Sequence, residues 1–363
     1  LEFRRVLFRS QAFRPVEAGW RWGPVWSTAW FRLRGAVPAS FAGKRVALRF
    51  SSGTEALLWK DGVPFQGFDP YRNLAFLWER APAAGEGGAA ASVDLLIEAA
   101  CNLPLGISTF WWEDAEHHAR WREANPGRLE AAELVTVDEA VWRFAQGFDL
   151  ARKLQVSLPE TDPRAHELDR GMRALMARVP LHATPAAMHA ACTALFPELA
   201  ALLMGRGPST PVECDAVGHA HIDTAWLWPI AETRRKCTRT FANVLRLQER
   251  YPNFHFLCSQ AQQYAWIEEG SPELFAEISD RVREGRWEPA GAMWIEPDAT
   301  CPSGESFVRQ ILHGCGYWRE RFGDAAPQRF LYLPDTFGFP ASLPQIMAQA
   351  GLDTFITNKM SWC

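Results

Sequence analysis

The 363-residue sequence has no CxxC pair, no internal repeat, no low-complexity tract and no large surplus of either charge sign. Each absence excludes something. A formal net charge of −4 with the charges mixed along the chain gives no reason to expect a nucleic-acid partner. The one basic cluster, "TRRKCTR" from Thr233 to Arg239, reads as the solvated face of a helix. No apolar run stands out as approaching the roughly 18 residues a membrane span needs, so no membrane partner is expected. The N-terminus has basic residues but no apolar core or small-residue cleavage site, which argues against a secretory leader. The eight cysteines are scattered, as reduced thiols of a cytoplasmic protein would be, and do not outline a disulfide framework. The chain also opens without Met on "LEFRRVLFRS", a stretch resembling a boundary scar. Residues 1–19 are therefore set apart as an arm, and a fragment of a longer protein is expected. What is abundant is tryptophan, with seventeen residues. Its flat apolar face and single N–H suit stacking on sugar rings, although the same residues could simply fill a core.

The pattern changes twice along the chain. Residues 20–103 read as strands: "RVALRF" alternates with period two, and "LLWKDGVPF" sets Asp61-Gly62 between two β-rich runs, a hairpin signal. "SVDLLIEAA" adds another strand after the loop "APAAGEGGAAA", and the whole predicts a β-sandwich. Residues 104–210 read as a helical connector, with apolar residues at three- and four-residue spacing in "HELDRGMRALMARV" and "AAMHAACTALFPELAALLM". "GRGPSTP" then marks a boundary. From 211 to 363 strands alternate with helices, including one opened by Ser271-Pro272 and one predicted from Gly304 to Phe322. Such alternation implies parallel βαβ units. Five units in about 150 residues make the first part of a (β/α) barrel, whose full length is roughly 250 residues. The expected fold class is thus α/β plus β.

Ionisable residues gather where each predicted strand ends: "GHAHID", "CSQ", "WIEPD", "LPD" and "TNK". In parallel α/β folds that end carries the active site. Side chains at i, i+2 and i+4 of a strand share a face, so His219, His221 and Asp223 can point together. Imidazole with carboxylate suits zinc, cobalt or another divalent ion. Asp298 and Asp335 belong to the same rim, although each could equally serve as a turn or helix-approach residue. Rim carboxylates beside a metal suit nucleophilic or acid–base work, without separating a glycosidase from another metal-dependent hydrolase.

The runs "GHAHIDTAWLWP", "WIEPDATCPSGESFVRQ" and "LYLPDTFGFPASLPQI" resemble glycoside hydrolase family 38, the class II α-mannosidases. The upstream "EALLWKDG" and "IEAACN" look like that family's cytosolic and bacterial branch. The resemblance covers nearly everything after residue 20. It implies a retaining α-mannosidase acting on α-mannoside oligosaccharides. His221 and Asp223 would be the first two metal ligands, and Asp298 both a ligand and the covalent nucleophile. Trp226 would stack on the sugar, His219 would stand behind the ligands, and Asp335 would lie near the pocket. The family's fourth ligand, a histidine, and its general acid fall beyond "TNKMSW", so the chain by itself is expected to be inactive. A homo-oligomer is left open.

Two other readings remain at this point. Histidines at i and i+2 ending a first barrel strand also resemble the amidohydrolase metal site, which would make His219 and His221 the ligands. A carbohydrate-binding sandwich on an inactive remnant is the non-enzyme alternative.

Overall fold

The computed structural model describes residues 13–83, 92–103, 119–204 and 213–362. The boundary at "GRGPSTP" lies wholly outside them, as does most of the "APAAGEGGAAA" loop.

The first domain is antiparallel. Its strands are β1 (Arg21–Trp22), β2 (Thr28–Ala36), β3 (Val46–Ser51), β4 (Glu55–Lys60), β5 (Val63–Phe68), β6 (Leu74–Trp78), β7 (Ser92–Ala100), β8 (Gly127–Arg128) and β9 (Ala131–Thr136). One sheet has the order β2-β7-β4-β5 and the other β6-β3-β9, while β1 pairs β8 separately. Asp61 and Gly62 form the two-residue hairpin turn with φ of +53° and +83°, the left-handed geometry that favours the Asp-Gly pair. Strand structure does not stop at residue 103. β9, in the region read as a helical connector, pairs β3 along its length. "AAELVT" is too short, and alternates too weakly, to announce itself without its partner.

Both faces of the β2-β7-β4-β5 sheet are covered. Ala56 and Leu58 of β4 face the sandwich core with Phe31, Phe50 and Ile97. Leu57, on the opposite face, joins the core of the next domain, and Trp59 packs against it. Period-two alternation therefore supplies two cores here.

Helices α1 (Glu139–Ser157), α2 (Pro163–Met176) and α3 (Pro185–Met204) pack around Phe144, Leu168, Met172, Leu195 and Leu199. Among the described residues α3, with 20 residues and a mean hydropathy of 1.4 over its most apolar 18, is the one helix long and apolar enough, by length and composition only, to cross a membrane. His189 and Glu198, on the same helix, pair with Asp138 and Arg178.

The last region alternates β10 (Gly218–His219), α4 (Ile230–Arg250), β11 (Phe256–Cys258), α5 (Ala261–Gly270), α6 (Pro272–Arg283), β12 (Trp287–Pro289), α7 (Gly304–Phe322), β13 (Phe330–Tyr332), α8 (Leu343–Gln349) and β14 (Thr354–Ile356). β10, β11 and β12 form one parallel sheet, and β13 and β14 another. The described strands thus lie in two ladders and not one continuous sheet. Gln328 splices the ladders: its Nε2 donates to Pro289 O at 3.0 Å and its Oε1 accepts from Ala292 N at 3.0 Å. Gly314 of α7 sits against the chain leaving β12. A Cβ there would fall 2.3 Å from Ala292 O, so only glycine allows the helix this close.

The basic cluster opening α4 is not a solvated face. Lys236 and Arg239 are buried against β4, 6% and 5% exposed. Arg239 donates to Glu55 at 2.9 Å and to Glu232, Lys236 reaches Glu55 at 2.5 Å, and Arg235 pairs Glu232 at 3.1 Å. Three cations thus neighbour three carboxylates, Glu55, Glu98 and Glu232. Glu55 and Glu98 come from strands far away in sequence and Glu232 from α4 itself, and their charge makes the burial tolerable.

Candidate active site

The site is assembled from loops leaving the carboxyl ends of the parallel strands, where such folds expose backbone and polar side chains. β10 ends at His219, so His221 and Asp223 lie in the following loop and not on an extended strand face. That changes the grouping expected from period-two spacing. His219 turns away. Its Nδ1 lies 2.9 Å from Leu257 O, and its ring meets Tyr332 edge-on with centroids 5.1 Å apart.

His221 is the hub. Its Nε2 is 3.0 Å from Asp223 Oδ1 and 3.6 Å from Asp335 Oδ2, while its Nδ1 is 2.9 Å from Glu296 Oε2. The ligating atoms of His221, Asp223 and Asp335 all lie within 4.8 Å of one another. Burial works against a charged imidazole here. The hydrogen bonds and charges of Asp223 and Glu296 outweigh it and push His221 up to about 10. Three carboxylates, Asp223, Asp335 and Glu296, set around one imidazole favour a cation there. Asp335 Oδ1 also holds Lys359 Nζ at 2.5 Å.

Glu296 was not singled out in the sequence. It stands two residues before Asp298 in "WIEPD", with a side chain only 6% exposed. Its Oε1 accepts from Ser259 Oγ. A carboxylate behind one histidine nitrogen orients the other toward a ligand position. The available signal was an ionisable residue inside an otherwise apolar run.

Gln260 ties three of these loops together. Its Nε2 donates to Ile222 O at 2.8 Å, and its Oε1 accepts from Thr224 Oγ1 at 2.6 Å and from Glu296 N at 3.3 Å. Gln263 donates to the same Ile222 carbonyl at 2.7 Å. The backbone of Gln260 is left-handed, φ +70°, and buried side-chain bonds hold it there.

Asp298 lies outside the three-residue group. It is exposed and closes its own turn, accepting from Thr300 N at 3.2 Å and Cys301 N at 2.9 Å. These backbone donors, Cys301 first, hold its carboxyl below the ordinary range. Trp226 is 49% exposed in the loop after Asp223, its ring edge-on to buried Trp228 at 5.5 Å.

The donor set fits a divalent first-row ion. It offers one imidazole and two carboxylates, with a further carboxylate orienting the imidazole.

Comparison with known proteins gives the family. Residues 211–363 match the glycosyl hydrolases family 38 N-terminal domain, and residues 3–125 match the alpha-mannosidase jelly roll domain. Alpha-mannosidase 2C1 of Homo sapiens is 35% identical over 364 residues, 96% of this chain and 32% of the relative. Alpha-mannosidase of Saccharomyces cerevisiae is 41% identical over 147 residues, 40% of this chain and 13% of the relative. Among solved structures, an alpha-mannosidase from Enterococcus faecalis V583 is 31% identical, covering 39% of this chain and 16% of that one, with a TM-score of 0.36. The chain belongs to glycosyl hydrolase family 38, and it spans about a third of the length of the 2C1 relatives it matches.

Proposed function

We propose that the full-length protein is a metal-dependent, retaining α-mannosidase that releases terminal α-mannosyl residues from oligosaccharides. The observation that carries this reading is His221 held between Asp223, Asp335 and Glu296 at the ends of parallel strands, next to the exposed Trp226. The alternation of strands and helices also supports a (β/α) barrel, of which residues 211–363 supply the first part.

His221 and Asp223 would hold the ion, zinc or cobalt by donor type, with Asp298 from the neighbouring loop. When bound, the ion supplies Lewis acidity toward adjacent sugar hydroxyls. Trp226 offers an apolar face for the ring of the departing mannose. Asp298 is the nucleophile in this reading, and its turn suits the task, because two backbone N–H groups keep the carboxylate ionised at neutral pH. Its oxygen forms a bond to the anomeric carbon as the bond from that carbon to the leaving oxygen breaks. A carboxylic acid gives its proton to the leaving oxygen. Water then adds to the same carbon, the ester to Asp298 breaks, and the water's proton returns to the acid, with net retention. Asp335, beside the cluster and paired with Lys359, would line the sugar pocket.

The test is Asp298→Ala in the full-length protein. Loss of nearly all hydrolysis of an aryl α-mannoside is expected, with azide restoring turnover by replacing the carboxylate. Near-wild-type hydrolysis by the variant would overturn the assignment.

A further inference from the structure

The buried ion network between the first domain and α4 leads directly to the loop that carries Trp226. Glu55, on β4, holds Lys236 Nζ at 2.5 Å, and Asn102 Nδ2 donates to the same carboxylate oxygen at 2.8 Å. The Lys236 ammonium lies 4.7 Å from the ring centroid of Trp228. Trp228 is 8% exposed, and its Nε1 donates to Thr233 Oγ1 at 3.1 Å, so the ring is fixed at its edge as well as over its face. The ring of Trp226 then stands on Trp228 at 85°. A cation desolvated over an indole face contributes more than a solvated one, and here the protein environment has already removed the water. Asn243 of α4 also accepts from Gly67 N of β5 at 2.8 Å, so the sheet and the helix are joined at a second point.

We propose that the first domain positions the sugar platform. Glu55 and Lys236 are positioning residues that act through Trp228 to set the orientation of Trp226, and the bound class is the glycosyl ring that Trp226 faces. This rests on the α-mannosidase reading for the identity of the ligand, but not for the coupling itself. The β-sandwich is then a working part of the site.

The test uses the full-length protein with Lys236→Met, Lys236→Arg, Glu55→Gln and Trp226→Ala. Lys236→Met is expected to raise KM for 4-nitrophenyl α-mannoside about tenfold, with kcat changed less than about twofold and bound metal unchanged. Lys236→Arg restores KM to within about threefold, because it returns a cation to the indole face. In the Trp226→Ala background, Lys236→Met adds nothing further, since the two act in series. With 5-fluorotryptophan incorporated, the Trp226 resonance, assigned by its absence in Trp226→Phe, shifts in Lys236→Met without any sugar present. A wild-type KM in folded Lys236→Met, or a full-sized further loss in the Trp226→Ala background, overturns the proposal. If Lys236→Met does not fold, Glu55→Gln decides: it keeps the lysine but weakens its anchor, and an unmoved fluorine resonance refutes the coupling. If the wild type cleaves no α-mannoside, the mannosidase reading fails, while the fluorine shift still decides whether Lys236 sets Trp226.

Discussion

Replacing Arg239 with Met tests how the two domains are joined. Arg239 is 5% exposed, and its guanidinium serves Glu55 and Glu232, the latter fully buried. Burial opposes its charge, but the carboxylates of Glu55 and Glu232 hold its pKa above the ordinary value. Met fills most of the aliphatic volume, so the loss comes mainly from charge and not from a cavity. Removing one member of a buried ion network costs about 3–5 kcal/mol, because the partners stay buried without compensation. Here Glu232 keeps Arg235 and Glu55 keeps Lys236, which puts the expected loss near the lower end, about 3 kcal/mol. The assay is urea unfolding followed by tryptophan fluorescence. Arg309→Met serves as the control, since the Arg309–Glu305 pair is 68% and 67% exposed and its loss should cost less than about 1 kcal/mol. The pH dependence has a definite sign. Burial tends to raise the Glu232 pKa, but Arg239 and its neighbours hold it below its usual 4.5. A depressed carboxyl stabilises the fold above its unfolded pKa and loses that contribution as pH falls through the folded one. Arg239→Met raises the folded value, so acid unfolding should begin at a higher pH than in the wild type. A loss no larger than that of Arg309→Met, with an unmoved acid limb, would refute the view that this interface is dry.

Two predictions concern the candidate metal site. Asp223→Ala should remove most of the bound metal and His219→Ala little of it, because His219 turns to Leu257 O and Tyr332; metal analysis of the two purified variants separates this reading from one that pairs His219 with His221. Asp335→Asn should keep its metal and raise KM for an aryl α-mannoside with kcat less affected, as loss of a contact lining the sugar pocket does; loss of metal instead would make Asp335 a ligand.

Much of this architecture was legible in the chain. Ser303 as cap and Gly323 as stop bound α7 at Gly304–Phe322, as their local chemistry predicts, and Asp61-Gly62 makes the hairpin turn that its left-handed preference demands. The rim was legible too, since His221, Asp223 and Asp335 all sit just after short parallel strands. Less legible was how those residues group. Period-two spacing joined His219 to His221, but β10 ends at His219 and the loop beyond it obeys no strand period.

Local sequence determined the element types, the turn, the helix ends and the set of residues available for chemistry, because capping, backbone preference and apolar spacing act over a few residues. Tertiary structure alone decided that Glu296 backs His221, that Gln260 binds three loops, and that the basic face of α4 is buried against β4. In each case the partner lies more than thirty residues away in the chain. A charge can be buried only where the fold brings its counter-charge, and nothing within a helical turn of Lys236 or Arg239 announces Glu55.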